Sequence, residues 1–288
     1  MLKEQKKLFA VLGHPIGHSL SPIMHNASMS SINYNGIYSA IDVHPNKLMD
    51  RLFTMSNQGY LGVNLTIPHK EIAYNNLEYL DDSAKLFGAV NTIAFKDKKL
   101  IGYSTDGYGF IQALEANFGC GLDGDNVFVL GCGGAGRTVA LQSACSGAKK
   151  LWLADIDVDR IEKLKKELHI INSNLEVNYS ASLDNQMQGC KECSLIVQAS
   201  PNGMNLNDKS LFPETVFNKN QRVLDLIYMY PETDFLKKAK YAGAKIANGM
   251  DMLVYQGAKS FAIWTDISPN IDEMRHAISE IIYKEVND

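Results

Sequence analysis

Two segments of this chain carry residues that could do chemistry together. Lys70 ends the segment Asn64-Leu-Thr-Ile-Pro-His-Lys70, just after an apolar strand pattern, and Gly131-Cys-Gly-Gly-Ala-Gly136 lies further along the chain. The first segment supplies an ammonium group that can donate a proton, and the second is a pattern that holds the pyrophosphate of a dinucleotide. Together they predict hydride transfer coupled to proton transfer.

Asp106, in Ser104-Thr-Asp-Gly107, is the candidate partner of Lys70. Reduction of a ketone leaves an alkoxide, which must take a proton from a donor within hydrogen-bond reach. A carboxylate beside Lys70 would hold the ammonium in place and share its proton network. Since local spacing does not bring the two residues together, their pairing is an inference. The alternative is a surface lysine and a helix-capping aspartate.

The glycine-rich segment has the context that a dinucleotide motif requires, with a predicted strand over 127–130 before it and a predicted helix over 134–146 after it. The first glycine permits a tight turn, the second lets the backbone approach the pyrophosphate, and the third allows close packing of helix on strand. The free N–H groups at the helix N-terminus attract the phosphates. The predicted cofactor contacts in this turn are Gly131, Gly133, Gly134, Ala135 and Gly136.

Asp155 follows the next predicted strand, about 20 residues after the motif, where the fingerprint expects an acid that accepts from the ribose 2′-hydroxyl. A carboxylate there repels a 2′-phosphate. Asp157 adds a second acid, and Arg160 is the first cation of the loop. The sequence therefore predicts a preference for NAD over NADP. The alternative is that Asp155 only caps the next helix.

Several hydroxyl and amide side chains suit a polyhydroxylated ligand. Ser19 and Ser21 lie in a loop after the first strand, and Ser21 also reads as the N-cap of a helix that starts at Pro22. Asn64 and Thr66 alternate on one face of a predicted strand. A further predicted strand contains Asn91 and Thr92. No metal site is predicted, because these histidines lack the spacing of metal ligands: His14, His18, His25 and His69.

The pattern of elements predicts an α/β fold. Strands are predicted over 8–12, 38–43, 62–67, 89–95, 100–103, 127–130, 151–154, 194–199, 223–227 and 245–247. Helices are predicted over 22–32, 45–56, 107–118, 134–146, 235–241, 251–264 and 272–284. The expected domains are 1–105 with 250–288, an α/β unit completed by the C-terminal helices, and 106–249, a Rossmann-type dinucleotide-binding unit.

Composition excludes several classes of protein. The chain has 288 residues and a formal net charge of −4, so a nucleic-acid surface is not expected. Five irregularly spaced cysteines argue against a disulfide framework, and Cys190-Lys-Glu-Cys193 is interpreted as incidental, with zinc or redox use as the alternative. The polar start and the lack of a long apolar run predict no leader and no membrane span. We expect a cytoplasmic protein, assembled as a homodimer.

Six motifs resemble the shikimate dehydrogenase family and follow one another in the family's order: Gly13-His-Pro-Ile-Gly-His-Ser-Leu-Ser-Pro22, Asn64–Lys70, Gly88-Ala-Val-Asn-Thr92, Ser104–Gly107, Gly131–Gly136 and Asn248-Gly-Met-Asp-Met-Leu-Val-Tyr-Gln256. The resemblance implies reversible reduction of 3-dehydroshikimate to shikimate in aromatic amino-acid biosynthesis, with Lys70 and Asp106 as the catalytic pair. It implies that the nicotinamide lies near Leu226 and Gly249. It also implies a substrate site formed by Ser19, Ser21, Asn64, Thr66, Asn91, Tyr228 and Gln256.

The chain departs from the family pattern after the second strand of the dinucleotide unit. Asp155-Ile-Asp157 stands where NADP-using members have Asn-Arg-Thr, and it resembles the NAD-using quinate/shikimate branch. Ser19 and Ser21 leave less room than a glycine would, which favours shikimate over quinate. Quinate catabolism is the nearest alternative. A non-catalytic metabolite sensor is a further alternative, and the presence of both Lys70 and Asp106 argues against it.

Overall fold

The computed structural model describes residues 5–283 and divides the chain into two compact units. The first unit contains the chain up to Gly109 and again from Leu253, and the second unit is Phe110–Met252. The boundaries expected from the sequence were 105/106 and 249/250, so residues 106–109 group with the first unit, while 250–252 group with the second. The expected ends at 1–4 and 284–288 lie outside the described residues.

The first unit contains six strands and six helices among its described residues. Its strands are β1 (Lys7–Gly13), β2 (Gly36–Asp42), β3 (Tyr60–Leu65), β4 (Tyr79–Leu80), β5 (Thr92–Lys96) and β6 (Lys99–Tyr103). Its helices are α1 (Ser21–Ser31), α2 (Leu48–Asn57), α3 (His69–Asn76), α4 (Asp82–Phe87), most of α10 (Met250–Thr265), and α11 (Ile271–Ile282). α5 (Asp106–Phe118) starts in this unit and continues into the second.

The sheet of the first unit has the order β2-β1-β3-β5-β6-β4. β1 pairs in parallel with β2 and β3, whereas β5 runs antiparallel to β3 and β6. β1 is central and apolar on both faces, as expected for a strand covered on both sides. Phe9 packs with Phe261 and Trp264 on one face, while Leu12 packs with Leu48 on the other. The C-terminal helix α10 therefore supplies part of the core of the first unit.

The second unit is a parallel α/β sheet. Its strands are β7 (Asn126–Leu130), β8 (Lys150–Ala154), β9 (Glu176–Ser180), β10 (Leu195–Gln198), β11 (Arg222–Asp225) and β12 (Lys245–Asn248). Its further helices are α6 (Gly134–Cys145), α7 (Val158–Ile171), α8 (Leu183–Lys191) and α9 (Asp234–Tyr241).

The strand order of the second unit is β12-β11-β10-β7-β8-β9, and every described pairing is parallel. Counted from β7, this is the order 3-2-1-4-5-6 of the Rossmann fold. The order reverses between β7 and β10, and ligands of such sheets bind outside the carboxyl ends of the strands at that point. The predicted α/β class with a Rossmann-type unit is confirmed.

Several local predictions need correction. Ser21 is the first residue of α1 and not its cap, because the N-cap position is Leu20 and no side chain caps this end. β3 ends at Leu65, so Thr66 lies after the strand and does not share a strand face with Asn64. The predicted helix over 45–56 is a 3-10 turn at Pro45–Lys47 followed by α2.

Short or polar elements escaped the sequence analysis. The elements α3, α4, α8, β4 and β9 were not predicted, because they are short or lack a strong apolar periodicity. The strands predicted over 89–95 and 100–103 correspond to β5 and β6, although β5 begins only at Thr92. They pair as an antiparallel hairpin, with Asp97 and Lys98 in left-handed conformation at its turn. The predicted end of the last helix, Lys284, lies outside the described residues.

Candidate active site

Lys70 and Asp106 form an ion pair in the first unit. Lys70 is the second residue of α3, Asp106 is the first residue of α5, and Lys70 Nζ donates to Asp106 Oδ2 at 2.6 Å. The two side chains are 31% and 19% exposed, so the pair is partly desolvated and yet open to a ligand. Since 36 residues separate them in the sequence, the fold alone brings this proton donor and carboxylate together.

Asn91 ties the ion pair to α10. Its side-chain amino group donates to Asp106 Oδ1 at 2.8 Å, and a contact of 3.2 Å joins it to Gln256 Oε1. Its oxygen accepts from the backbone N–H of Thr105 at 2.8 Å. Asn91 is buried immediately before β5, which corrects its placement within a strand. The carboxylate of Asp106 is thus held on one oxygen by Asn91 and on the other by Lys70.

Asn64 is the centre of a second buried hydrogen-bond cluster in the same unit. Its amino group lies 3.0 Å from Thr92 Oγ1 and 2.9 Å from Ser260 Oγ, and its oxygen accepts from the Tyr38 hydroxyl at 2.7 Å. Thr92 and Ser260 are 2.7 Å apart. These contacts link β2, β3, β5 and α10, so four segments that are distant in sequence fix this amide.

The remaining predicted substrate residues of the first unit lie on the loops around these clusters. The Ser19 hydroxyl accepts from the backbone N–H of Ser21 at 3.4 Å, at the start of α1. Ser21 is buried, and it opposes the effect of burial, which raises the pKa of the Tyr38 phenol. Thr66 is half-buried after β3, and its carbonyl accepts from the N–H of His69 at 2.8 Å, at the start of α3.

The glycine-rich turn of the second unit connects β7 to α6. Gly131 has φ of 95°, in the left-handed region that favours glycine. A Cβ on Gly136 would lie 1.7 Å from the Gly131 carbonyl oxygen, so a larger residue cannot pack here. By contrast, Cβ atoms on Gly133 or Gly134 would meet no atom within 4 Å. Since no side chain caps α6, its first N–H groups at Gly134 and Ala135 face this open cradle, which fits a pyrophosphate.

Asp155 is buried at the end of β8, where it supports the glycine-rich turn. It accepts from the N–H of Cys132 at 2.7 Å and from the N–H of Asp157 at 3.0 Å. Asp157, not Asp155, is the N-cap of α7, so the simple capping alternative does not hold for Asp155. Arg160 lies 3.6 Å from Asp155 and 3.5 Å from Asp157, so both carboxylates pair with the first cation of this loop.

Leu226 and Gly249 are neighbours in the second unit, since a Cβ on Gly249 would lie 2.1 Å from the Leu226 carbonyl oxygen. Asp225, buried at the end of β11, shapes this corner by accepting from the Ile227 N–H at 3.0 Å and from the Thr233 hydroxyl at 2.6 Å. Burial raises the pKa of Asp225 to about 6. Tyr228 also lies in this unit, apart in the chain from the other predicted substrate residues, and burial raises its pKa.

The histidines and cysteines of the described residues form no cluster of metal ligands. Within residues 5–283, no group of three or more His, Cys, Asp or Glu side chains could hold a metal ion. His14 bonds with Asp42 at 2.8 Å, whereas His25 is wholly buried on α1. Burial raises the pKa of Cys193 to about 12, and the pKa of Cys190 well above its usual range, so neither thiol is activated.

Three side chains that organise the hydrogen-bond clusters of the first unit were not predicted from the sequence: Ser260, Tyr38 and Thr105. Ser260 could have been found from its spacing of four residues from Gln256, because such pairs lie on one face of a helix. Its hydroxyl also bonds with the Gln256 carbonyl at 2.9 Å. Tyr38 and Thr105 had no local signal, since their partners Asn64 and Asn91 are distant in sequence.

A Rossmann-type sheet with an open glycine-rich turn, together with a Lys–Asp pair, defines the class of dinucleotide-dependent oxidoreductases. The protein-family comparison is consistent with this class. Residues 11–93 match the shikimate dehydrogenase substrate binding domain, and residues 249–278 match the shikimate 5′-dehydrogenase C-terminal domain. No helix among residues 5–283 has the length and apolarity needed to span a membrane.

Full-length relatives identify the family. The chain is 39% identical to a shikimate dehydrogenase (NADP(+)) of Methanocaldococcus jannaschii, over 99% of this chain and 100% of that protein. A shikimate dehydrogenase structure in complex with NADP+ superposes with a TM-score of 0.88, at 37% identity and 96% coverage of each chain. The Listeria monocytogenes enzyme in complex with shikimate and NAD has a TM-score of 0.88 at 27% identity, covering 95% of this chain and 96% of that one. This chain belongs to the shikimate dehydrogenase family.

Proposed function

We propose that this protein reversibly reduces 3-dehydroshikimate to shikimate with a nicotinamide dinucleotide. The observation that carries the proposal is the hydrogen bond of 2.6 Å between Lys70 and Asp106. A binding protein has no need for a proton donor held by a carboxylate, whereas a ketone reductase does. Membership of the family supports the same reaction.

The chain's own residues account for the proton. Lys70 donates a proton to the oxygen of the ketone that is being reduced, and in the reverse direction it takes the proton from the alcohol. Asp106 holds the ammonium and stabilises its charge, while Asn91 fixes the free oxygen of that carboxylate. The bound nicotinamide supplies or accepts the hydride at its C4 atom.

We also propose that the two units bind different molecules. The first unit binds the ring substrate through Ser19, Ser21, Asn64, Thr66, Asn91 and Gln256. The second unit binds the dinucleotide through its glycine-rich turn, with Leu226 and Gly249 near the nicotinamide. The family match of residues 11–93 to a substrate binding domain supports the first role, and the open cradle before α6 supports the second.

For the cofactor, we propose a preference for NAD. The support comes from the acidic loop after β8, where Asp155 and Asp157 would repel a 2′-phosphate. Both carboxylates also pair with Arg160, so this cation is already neutralised. Relatives named for NADP(+) set the opposite expectation, and the Listeria monocytogenes complex contains NAD. The acidic loop is the observation that supports the proposal of NAD.

The test is a set of initial-rate assays that cross shikimate and quinate with NAD and NADP, following reduced cofactor by absorbance. Shikimate turnover with a higher kcat/KM for NAD is the expected result. A higher kcat/KM for NADP would refute the cofactor proposal and leave the reaction intact. A higher kcat/KM for quinate than for shikimate would indicate a role in quinate catabolism. No turnover in any of the four assays would favour the alternative of a non-catalytic metabolite sensor.

A further inference from the structure

We propose that Tyr38 is a positioning residue of the substrate site, whose phenol holds the Asn64 amide in one orientation, with its oxygen available to accept a hydrogen bond from a substrate hydroxyl. This inference rests on the proposed function and adds a residue to it. Tyr38 lies on β2, away from every motif that the sequence brings forward. Its role emerges from contacts inside the first unit.

The contacts of Asn64 determine which way its amide points. The amino nitrogen lies 3.1 Å from the carbonyl oxygen of Asn91, and a carbonyl can only accept. The group that faces Asn91 is therefore the amino group. The amide oxygen consequently faces Tyr38, whose hydroxyl lies at 2.7 Å and must donate.

The orientation also fixes what Asn64 can offer to a ligand. An amide has two N–H donors and an oxygen with two lone pairs. Both donors are directed at three acceptors of the first unit, on Asn91, Thr92 and Ser260. Tyr38 occupies one lone pair of the oxygen. Within residues 5–283, the capacity that remains is the second lone pair, so a ligand group bound by Asn64 has to be a donor.

The phenol of Tyr38 cannot turn away from Asn64. Its ring is 2% exposed and stacks on His25, with ring centroids 4.3 Å apart and an interplanar angle of 6°. Burial lowers the pKa of His25 to about 3, so the imidazole is neutral at working pH. Burial also raises the pKa of Tyr38, so the phenol keeps the proton that it donates.

A hydroxyl at this depth argues for a specific use. Phenylalanine would fill the same volume, and burying a hydroxyl costs free energy unless the hydroxyl is bonded. The hydroxyl of Tyr38 is bonded to Asn64, a polar residue that faces the substrate in the proposed function. The phenol therefore serves binding of the ring substrate more than it serves packing.

The test uses Tyr38→Phe in the full-length enzyme. We expect the KM for 3-dehydroshikimate to rise about tenfold, because the variant loses the hydrogen bond that holds the Asn64 amide in place for the substrate. We expect kcat and the KM for the dinucleotide to stay within about twofold of the wild type, since Lys70 and the second unit are untouched. Tyr34→Phe is the matched control, because it removes a phenolic hydroxyl from the same aromatic core, beside Phe9 and Phe261, without touching Asn64.

A double-mutant cycle separates positioning from packing. If Tyr38 acts through Asn64, Tyr38→Phe has no further effect on KM in an Asn64→Ala background. A tenfold rise that persists in that background, or an unchanged KM in the single variant, overturns the inference. If Tyr38→Phe does not fold, Ser260→Ala replaces it, because this variant removes an acceptor of the Asn64 amino group. It should raise the KM for 3-dehydroshikimate and leave kcat and the dinucleotide KM near the wild type. Any other result means that the inference is wrong. Absence of turnover by the wild type overturns the proposed function and this inference together, whereas an active enzyme with unchanged KM overturns the inference alone.

Discussion

The polar cluster of the first unit and the glycine-rich turn of the second are built in opposite ways. The turn is one short stretch of chain, Gly131–Gly136, and it offers backbone N–H groups and empty space. The cluster collects side chains from separate elements, such as Asn64 of β3, Lys70 of α3 and Gln256 of α10. A backbone site depends on the size of its residues, whereas a side-chain site depends on hydrogen-bond partners that hold one another in place.

The largest effect that would test this contrast is expected for Lys70→Met. The change keeps most of the aliphatic chain and removes the proton donor, so kcat should fall by roughly 10²- to 10⁴-fold. Dinucleotide binding, measured by calorimetric titration, should be unchanged, because the glycine-rich turn does not depend on side chains of the first unit.

Lys85→Met is the matched control for that variant, since Lys85 forms an exposed ion pair with Asp82 in the same unit. It should retain wild-type turnover, as exposed pairs contribute little. Equal losses in the two variants would contradict the assignment of Lys70.

Gly136→Ala should break the backbone site by steric means. A methyl group would lie 1.7 Å from the Gly131 carbonyl oxygen, so the turn must move. Overpacking of this kind costs about 1–3 kcal/mol of stability. We expect a lower Tm and weaker dinucleotide binding in a thermal-shift titration. Gly134→Ala, whose methyl group meets no protein atom within 4 Å, should keep the wild-type Tm in the absence of dinucleotide. A normal Tm for Gly136→Ala would refute the steric explanation.

Asp225→Asn tests the electrostatics of a buried carboxyl group in the second unit. Burial raises the pKa of Asp225 from 3.8 to about 6, so the folded protein disfavours its charged form. The proton bound at Asp225 therefore adds stability at pH 4, and this contribution is lost as the pH rises through 6. Between pH 4 and pH 7, the free energy of unfolding of the variant relative to the wild type should shift in the variant's favour by up to about 3 kcal/mol.

Denaturant unfolding at the two pH values measures that shift. Asp234→Asn is the control, because a backbone hydrogen bond from Ser210 lowers the pKa of Asp234 below its ordinary value of 3.8. Its wild-type stabilisation is lost only as the pH falls below that value, so the difference between Asp234→Asn and the wild type should change little between pH 7 and pH 4. A pH-independent difference for Asp225→Asn would show that its carboxyl does not titrate in this window.

The smallest effect is expected for Asp157→Ser at the cofactor loop. Serine can still cap α7, whereas the change removes one of the two carboxylates that pair with Arg160. The ratio of kcat/KM for NADP to that for NAD should rise about three- to tenfold, since exposed charges act weakly. Asp159→Ser removes an exposed acid of the same first turn that makes no ion pair with Arg160, and it should leave the ratio unchanged. Equal shifts in both variants would indicate a general charge effect.

The sequence predicted the second unit better than the first for a physical reason. The dinucleotide motif is local, so the spacing of Gly131, Gly133 and Gly136 was sufficient to predict the turn. The strand and helix patterns around these glycines predicted the Rossmann-type sheet. The structure excluded one alternative there, since the N-cap of α7 is Asp157 and not Asp155. In the first unit, β3 lies two residues earlier than predicted, at Tyr60–Leu65 and not over 62–67, because a strand boundary depends on pairing with β1 and β5.

Sequence alone determined the α/β class, the dinucleotide turn, and the identity of Lys70 and Asp106 as candidates for proton transfer. Tertiary structure decided that Lys70 and Asp106 meet, that Asn91 holds their carboxylate, and that Tyr38 and Ser260 lie behind Asn64. The reason is distance along the chain. Spacing encodes contacts within a turn or a helix, whereas contacts between β2, β3 and α10 exist only after the sheet and its covering helices have formed.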